Sequence, residues 1–244
     1  IQIKMSRDIM KVFSVVGKKN SWKTSLTIKI IKSLIKRGYK VATIKHSHHT
    51  MEMDKENTDT WKHKQAGSQV VVGIGSTTFF NVRNIIELDR LLFLIDMIDD
   101  IDFVVIEGFK KYNYPKIATS PDVVDEYTIK EVDSFKITSE EIEDLIDIIE
   151  EKSYGITNTL YLNECGYNNG DAIAKEIIKG NINTEELDSV DVSLSVDEKV
   201  VGVNEFVSDF MKQTIIGMLK TLNLKNFGAE DLNKVEILIK NRDE

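Results

Sequence analysis

The sequence is poor in the residues that lock a chain covalently or break it. Its 244 residues contain one cysteine, Cys165, so no internal disulfide can form and a reducing compartment, the cytoplasm, is the expected location. Only Pro115 and Pro121 interrupt the chain, and neither an internal repeat nor a low-complexity segment is present. No run approaches the roughly 20 apolar residues that a membrane helix needs. The most apolar region, Ile85 to Ile106, is broken by Glu87, Asp89, Arg90, Asp96, Asp99, Asp100 and Asp102. The start lacks the apolar segment and cleavage site of a signal peptide, and residues 1–9 read as an extension outside the fold. Basic residues are also in deficit, 32 against 40 acidic for a net charge of −8. Holding a phosphate backbone requires a concentrated basic face, so neither nucleic acid nor a membrane is expected as a partner.

The composition is otherwise that of a globular chain, with 41% hydrophobic and 30% charged residues. At about 150 residues per domain its length suggests one core with a smaller appendage. Residues 11–16 are β-branched and aromatic and stop at Gly17, as a buried strand would. From Thr24 to Lys36 the period changes: Leu26, Ile30, Ile31, Leu34 and Ile35 fall at helical spacing before Gly38. With a further strand at Lys40 to Ile44 this is a βαβ unit, which favours a parallel sheet. Val70 to Gly73, Thr77 to Val82, Phe103 to Ile106 and Lys116 to Thr119 read as further strands of that sheet, with helices at Ile86 to Ile98 and Ser139 to Lys152. The expected class is therefore α/β, a mostly parallel sheet flanked by helices, over residues 10–152.

Residues 153–244 read as a small α+β module. Gly155 to Asn169 carries turn residues and reads as a linker; Asp171 to Ile178 is helical. Asp191 to Val196 and Lys199 to Val203 alternate like a hairpin, Asn204 to Leu222 is a helix, and Val235 to Ile239 is a candidate last strand. The wide apolar face of the Asn204 helix, with Phe206, Val207, Phe210 and Met218, is expected to pack on that hairpin, since amphipathic helices usually serve their own core.

Three groups of residues carry chemistry. Gly17-Lys18-Lys19-Asn20-Ser21-Trp22-Lys23-Thr24, followed by Ser25, lies between the first strand and first helix. It meets the Walker A pattern G-x-x-x-x-G-K-[ST] at every position but one. In that pattern backbone N–H groups cradle phosphates, the lysine reaches the terminal phosphates and the hydroxyl binds Mg²⁺. Trp22 replaces a glycine where the backbone is tight, and a side chain there is expected to force a different conformation. Glu107, ending the strand Phe103 to Ile106, stands where a Walker B acid near the metal or attacking water would be. Third, all four histidines, His46, His48, His49 and His63, fall within eighteen residues at the carboxyl edge of the sheet. With Glu52 and Asp54 they offer metal ligands, and with Lys45 and Lys62 contacts for an anion; a polar ligand loop, a metal site and a plain surface loop all stay open.

The order of these features resembles the molybdopterin-guanine dinucleotide biosynthesis protein B (MobB) family over about residues 10–120. The likeness runs from the Walker A loop through Lys45-His46-Ser47-His48-His49 and Asp54 to Asp59-Thr60-Trp61-Lys62-His63 and Ala66-Gly67. It ends in Ile106-Glu107-Gly108-Phe109 and Pro115-Lys116-Ile117. The resemblance implies a P-loop NTPase-like fold and a homodimer that binds GTP with Mg²⁺, with weak GTPase activity at most. It also implies an adaptor role beside the guanylyltransferase that joins GMP to molybdopterin in molybdenum or tungsten cofactor biosynthesis, and beside other cofactor-biosynthesis or molybdoenzyme proteins. It assigns Gly17 to Ser25 to the nucleotide, Thr24 and Glu107 to the metal, Glu107 to any catalysis, and His46, His48, His49, Asp54, Asp59 and His63 to a second ligand loop. Asn57-Thr58 replaces a glycine-lysine pair usual in the family.

The tail resembles the extended archaeal, methanogen-type members. Leu162 to Gly170 looks like a C-x-x-C-G-x-x-x-C cluster segment in which Cys165 alone remains, with Leu162, Gly170 and Leu187 at the other positions. A [4Fe–4S] cluster needs four thiolates, so none is expected. Two other readings stay beside the leading one: a scaffold of the same pathway that has lost nucleotide through Trp22, and a P-loop small-molecule kinase. The kinase would need charge-stabilising arginines, and only Arg37, Arg83 and Arg90 lie between the loop and Glu107. No Asn-Lys-x-Asp guanine motif is present, so guanine preference rests on the resemblance.

Overall fold

A computed structural model describes residues 9–19, 21–47, 54–161, 169–187, 190–228, 232 and 234–240. Asn20, His48, His49 and the Cys165 segment lie outside the described residues. Strand β1 (Lys11–Val16) is the sheet's centre, and helix α1 (Lys23–Lys36) returns the chain to β2 (Val41–Lys45). Helix α2 (Asp59–Gln65), strands β3 (Val70–Ile74) and β4 (Thr78–Val82), helix α3 (Leu88–Ile98) and β5 (Phe103–Glu107) follow. Then come β6 (Lys116–Ala118), β7 (Thr128–Glu131) and helix α4 (Ser139–Lys152). The five main strands are parallel in the order β2-β5-β1-β6-β7.

Alternation along the strands explains the layers. Phe13, Val15, Phe103, Val105 and Ile117 point to one face, where Leu26, Ile30 and Leu34 of α1 and Ile142, Leu145, Ile146 and Ile149 of α4 cover them. Val12, Ile44, Val104 and Ile106 point to the other, under Leu88 and Leu92 of α3. Helix α5 (Gly170–Lys179) joins that second face through Ile173, Ala174 and Ile177, so one apolar cluster draws on residues from both sides of residue 152. Each such buried aliphatic contributes about 1.5–3 kcal/mol. Helix α4 opens on a capping box between Thr138 and Glu141, and Arg37 ties α1 to it through Glu143, Asp147 and Glu150.

The chain departs from its sequence pattern at several places. β3 and β4 are not part of the main sheet; they form a separate antiparallel pair, because the Gly75–Thr77 turn folds one run directly onto the other. Ile156 and Leu160 are core residues rather than linker, as is Tyr154 before them, whose carbonyl accepts from the Val12 N–H of the central strand at 2.8 Å. The hairpin forms as β8 (Leu194–Val196) and β9 (Lys199–Val201), its two-residue turn taking positive φ at Asp197 and Glu198 as a type I′ turn does. Helix α6 (Glu205–Leu219) does not pack its apolar face on that hairpin. Its buried residue is Ser208, which accepts from the Asp191 N–H, and Lys212 pairs with Asp191; Phe206 and Phe210 are left 77% and 66% exposed. The side chains that can hydrogen-bond to the Asp191 turn set the helix's rotation. Val235 to Ile239 forms no strand and is exposed. No helix among the described residues is long and apolar enough to cross a membrane.

Candidate functional site

Parallel register brings the strand ends to one edge. Val15 and Lys45 both lie opposite Glu107, and Val16 lies opposite Ala118, so Gly17, His46, Gly108 and Thr119 emerge side by side. Gly17 is buried and must be glycine. A Cβ there would stand 1.9 Å from the Thr119 hydroxyl and 2.5 Å from that of Ser21. Those two hydroxyls are 2.7 Å apart and Thr119 also donates to the Val16 carbonyl, while Ser134, in the loop after β7, donates to the Ser21 carbonyl at 2.6 Å. The loop is thus gripped by the segments that follow β6 and β7.

Trp22 joins this loop to the helix. It is the N-cap of α1 with φ 55° and ψ 21°, the left-handed conformation that glycine adopts without cost. Its ring lies against Phe135, centroids 5.9 Å apart, and the two rings are 60% and 71% exposed. The side chain finds room beside the loop after β7. Trp22 makes no side-chain cap, so it leaves the N–H groups of the first turn of α1 for another acceptor.

The remaining groups form the electrostatics of an anion and cation site. The Thr24 hydroxyl donates to Glu107 Oε1 at 2.8 Å, which joins the two residues expected to hold a metal. Lys45 pairs with the same oxygen, and Glu107 is 6% exposed. Lys23 curls back to the Lys18 carbonyl and to the Ser21 hydroxyl at 3.3 Å. Its ammonium is held below the usual lysine range by desolvation and by the neighbouring charges of Lys45 and Lys110, with Glu107 pulling the other way. An incoming polyphosphate would satisfy those ammonium groups. Lys18 pairs at 3.1 Å with Asp122 of the loop after β6. Desolvation pushes the Asp122 carboxyl up, but Lys18 and local hydrogen bonds outweigh it and hold it below the ordinary carboxylate range. Lys19 and Ser25 are exposed on either side of the loop.

Among the described residues of the second ligand loop, His46, Asp54, Asp59 and His63 have separate surroundings. His46 follows β2 and lies against Phe109, centroids 4.0 Å apart and rings tilted by 33°, beside Gly108, whose φ of 106° favours glycine and where a Cβ would stand 3.3 Å from His46. Asp54 instead builds the chain: its Oδ1 accepts from Thr58 at 2.9 Å and Thr60 at 3.0 Å, fixing the start of α2. Asp59 and His63 sit exposed on α2, and Asp59 pairs with Lys62. No cluster of three His, Cys, Asp or Glu side chains suited to a metal exists among the described residues. Thr119, Asp122, Ser134 and Phe135 were not legible as site residues; the signal that could have found them is their place directly after the two strands on the far side of β1. Lys116 is 2% exposed and structural, its ammonium on the Lys110 carbonyl at 2.8 Å and on Asp125, over the Tyr127 ring.

The family model for molybdopterin guanine dinucleotide synthesis protein B (MobB) matches residues 12–139. A provisionally named molybdopterin-guanine dinucleotide biosynthesis adapter protein of Methanocaldococcus jannaschii is 32% identical over 240 residues, covering 93% of this chain and 97% of its own. The adapter protein of Haemophilus influenzae is 33% identical over 155 residues, covering 57% of this chain and 87% of its own. A crystal structure of Bacillus subtilis MobB matches at 30% identity and a TM-score of 0.41, over 46% of this chain and 69% of that one.

Proposed function

The chain belongs to the molybdopterin guanine dinucleotide synthesis protein B family, and on that premise we propose that it is a cytoplasmic GTP-binding accessory protein of molybdenum or tungsten cofactor biosynthesis. It assists the guanylyltransferase that attaches GMP to molybdopterin, and its own GTPase activity is weak. One observation carries the nucleotide part of this reading: the Thr24 hydroxyl reaches Glu107 at 2.8 Å beside an α1 N-terminus whose cap residue, Trp22, keeps a glycine-like backbone. Donor N–H groups, an ammonium and a hydroxyl–carboxylate pair at one strand edge are what a Mg²⁺–triphosphate requires.

When bound, the metal neutralises phosphate charge. Thr24 and Glu107 would hold it, and Lys23 would leave the Lys18 carbonyl for the terminal phosphates. The alternative of a chain blind to nucleotide draws no support from Trp22, whose ring is occupied with Phe135. Dimerisation is part of the same reading. A lone two-stranded sheet is marginal in water, and Val72, Ile74 and Phe80 of β3 and β4 are exposed and ready to be covered by a second copy.

The test is formation of molybdopterin guanine dinucleotide by a purified guanylyltransferase from molybdopterin and Mg·GTP. Adding this chain is expected to raise product yield, and adding Lys23→Ala is not. No effect of the wild type on yield or rate would overturn the adaptor role.

A further inference from the structure

The terminal-phosphate end of the loop is marked by Thr24, Glu107 and Lys45, on the β5 and β2 side of β1. A nucleoside triphosphate lying along the loop must therefore send its sugar and base the other way, over the ends of β6 and β7. Ligands of open parallel sheets lie in just such a crevice beyond the carboxyl ends of the strands. Two segments rise there, and both are fastened to the loop. The segment after β6 carries Thr119, bonded to Ser21, and three residues later Asp122, paired with Lys18. The segment after β7 carries Ser134, bonded to the Ser21 carbonyl, and next to it Phe135, paired with Trp22.

Two things at this place are left open to a ligand. Trp22 and Phe135 are large rings left mostly exposed, whereas a pair serving stability would be buried. Asp122 is held ionised on a rigid short turn, opposite a lysine of the phosphate loop itself. An aromatic face binds any base by stacking. A carboxylate accepts a pair of parallel N–H groups, and among the common bases guanine alone offers N1–H together with a 2-amino group.

We propose that this opening is the nucleobase subsite: a guanine stacks on the Trp22–Phe135 pair and donates its N1–H and 2-amino group to Asp122. The proposal rests on the nucleotide reading above and adds residues that the sequence motif does not supply. The tryptophan that breaks the Walker A pattern becomes part of the ligand's binding surface. Lys18, freed from Asp122 by the base, is left for the phosphates.

The experiment compares Mg·GTP, Mg·ATP, xanthosine triphosphate and inorganic tripolyphosphate. Binding is followed by calorimetry and by emission of Trp22 in a Trp61→Phe chain, where it is the sole tryptophan. GTP is expected to bind at least tenfold more tightly than tripolyphosphate or ATP and to quench Trp22, while tripolyphosphate binds without quenching. Asp122→Asn, at the surface and safe for folding, is expected to weaken GTP at least tenfold and favour xanthosine triphosphate, whose 2-oxo group accepts from the new amide. Tripolyphosphate affinity should hold or rise. If GTP binds but leaves Trp22 emission unchanged, or Asp122→Asn leaves the base preference unchanged, the subsite is overturned and the phosphate loop stands. If neither GTP nor tripolyphosphate binds, the nucleotide reading falls and the subsite falls with it.

Discussion

Replacing Trp22 by glycine and by alanine separates its backbone from its side chain. At φ 55° a non-glycine residue brings its Cβ close to the backbone, at a cost of roughly 1 kcal/mol. The ring contact with Phe135, tilted by 53° and largely exposed, offsets about 0.5–1 kcal/mol of this. Alanine keeps the strain and loses the ring, so Trp22→Ala should destabilise the fold by about 0.5–1.5 kcal/mol. Glycine loses the ring but also the strain, and gains freedom in the unfolded chain, so Trp22→Gly should be the more stable of the two by about 1 kcal/mol. With a denaturant slope of about 2–3 kcal/mol per M in urea, that difference is a midpoint shift of about 0.3–0.5 M, readable by far-UV circular dichroism. Ordinary helix propensity would put alanine ahead. An alanine variant at least as stable as the glycine variant would refute the left-handed cap and with it the preserved loop.

Gly17→Ala should abolish Mg·GTP binding and cost about 1–3 kcal/mol, because its Cβ would overlap the Thr119 hydroxyl; calorimetry and urea unfolding check both parts. Arg37→Met should cost about 1 kcal/mol at neutral pH through the lost α1–α4 ion pairs. The Ser33 hydroxyl and Arg37 hold the Glu143 carboxyl below its usual range, so the stabilisation is complete above the unfolded pKa and disappears as pH falls through the folded one. Wild type and Arg37→Met should therefore converge in stability below about pH 4. The wild type is expected to be a dimer by light scattering and Phe80→Asp, on the exposed hairpin, a monomer; an unchanged mass would place the interface elsewhere.

Where the sequence carries a strong period the fold follows from it. β1 and α4 run over the residues their patterns mark, because burial dictates both faces of β1 and one face of α4. The exceptions have weak or ambiguous patterns. Asp59–Gln65 has no apolar stripe and buries nothing; it is a helix because Thr58 caps it, Asp59 sits in its first turn and Lys62, His63 and Lys64 in its last. β7 is a short polar strand held by its neighbour β6. Short apolar runs such as β3 and β4 say strand without saying which sheet. In the site, the Gly17–Thr24 run leads from β1 into α1 and Glu107 ends β5, where the sequence places them, but the left-handed backbone of Trp22 was not legible, because a sequence pattern records which residue is usual and not which φ it adopts. Asp54 holds the hydroxyls of Thr58 and Thr60 at the start of α2, a local role that the sequence pattern does not reveal.

The most direct test of the account is calorimetric titration of Mg·GTP into the wild type and into Lys23→Ala. The account predicts saturable, roughly stoichiometric binding by the wild type at micromolar concentration and loss of at least tenfold in affinity on removing the Lys23 ammonium. A wild type that takes up no heat with Mg·GTP, or a Lys23→Ala chain that binds as tightly, would contradict a working phosphate loop.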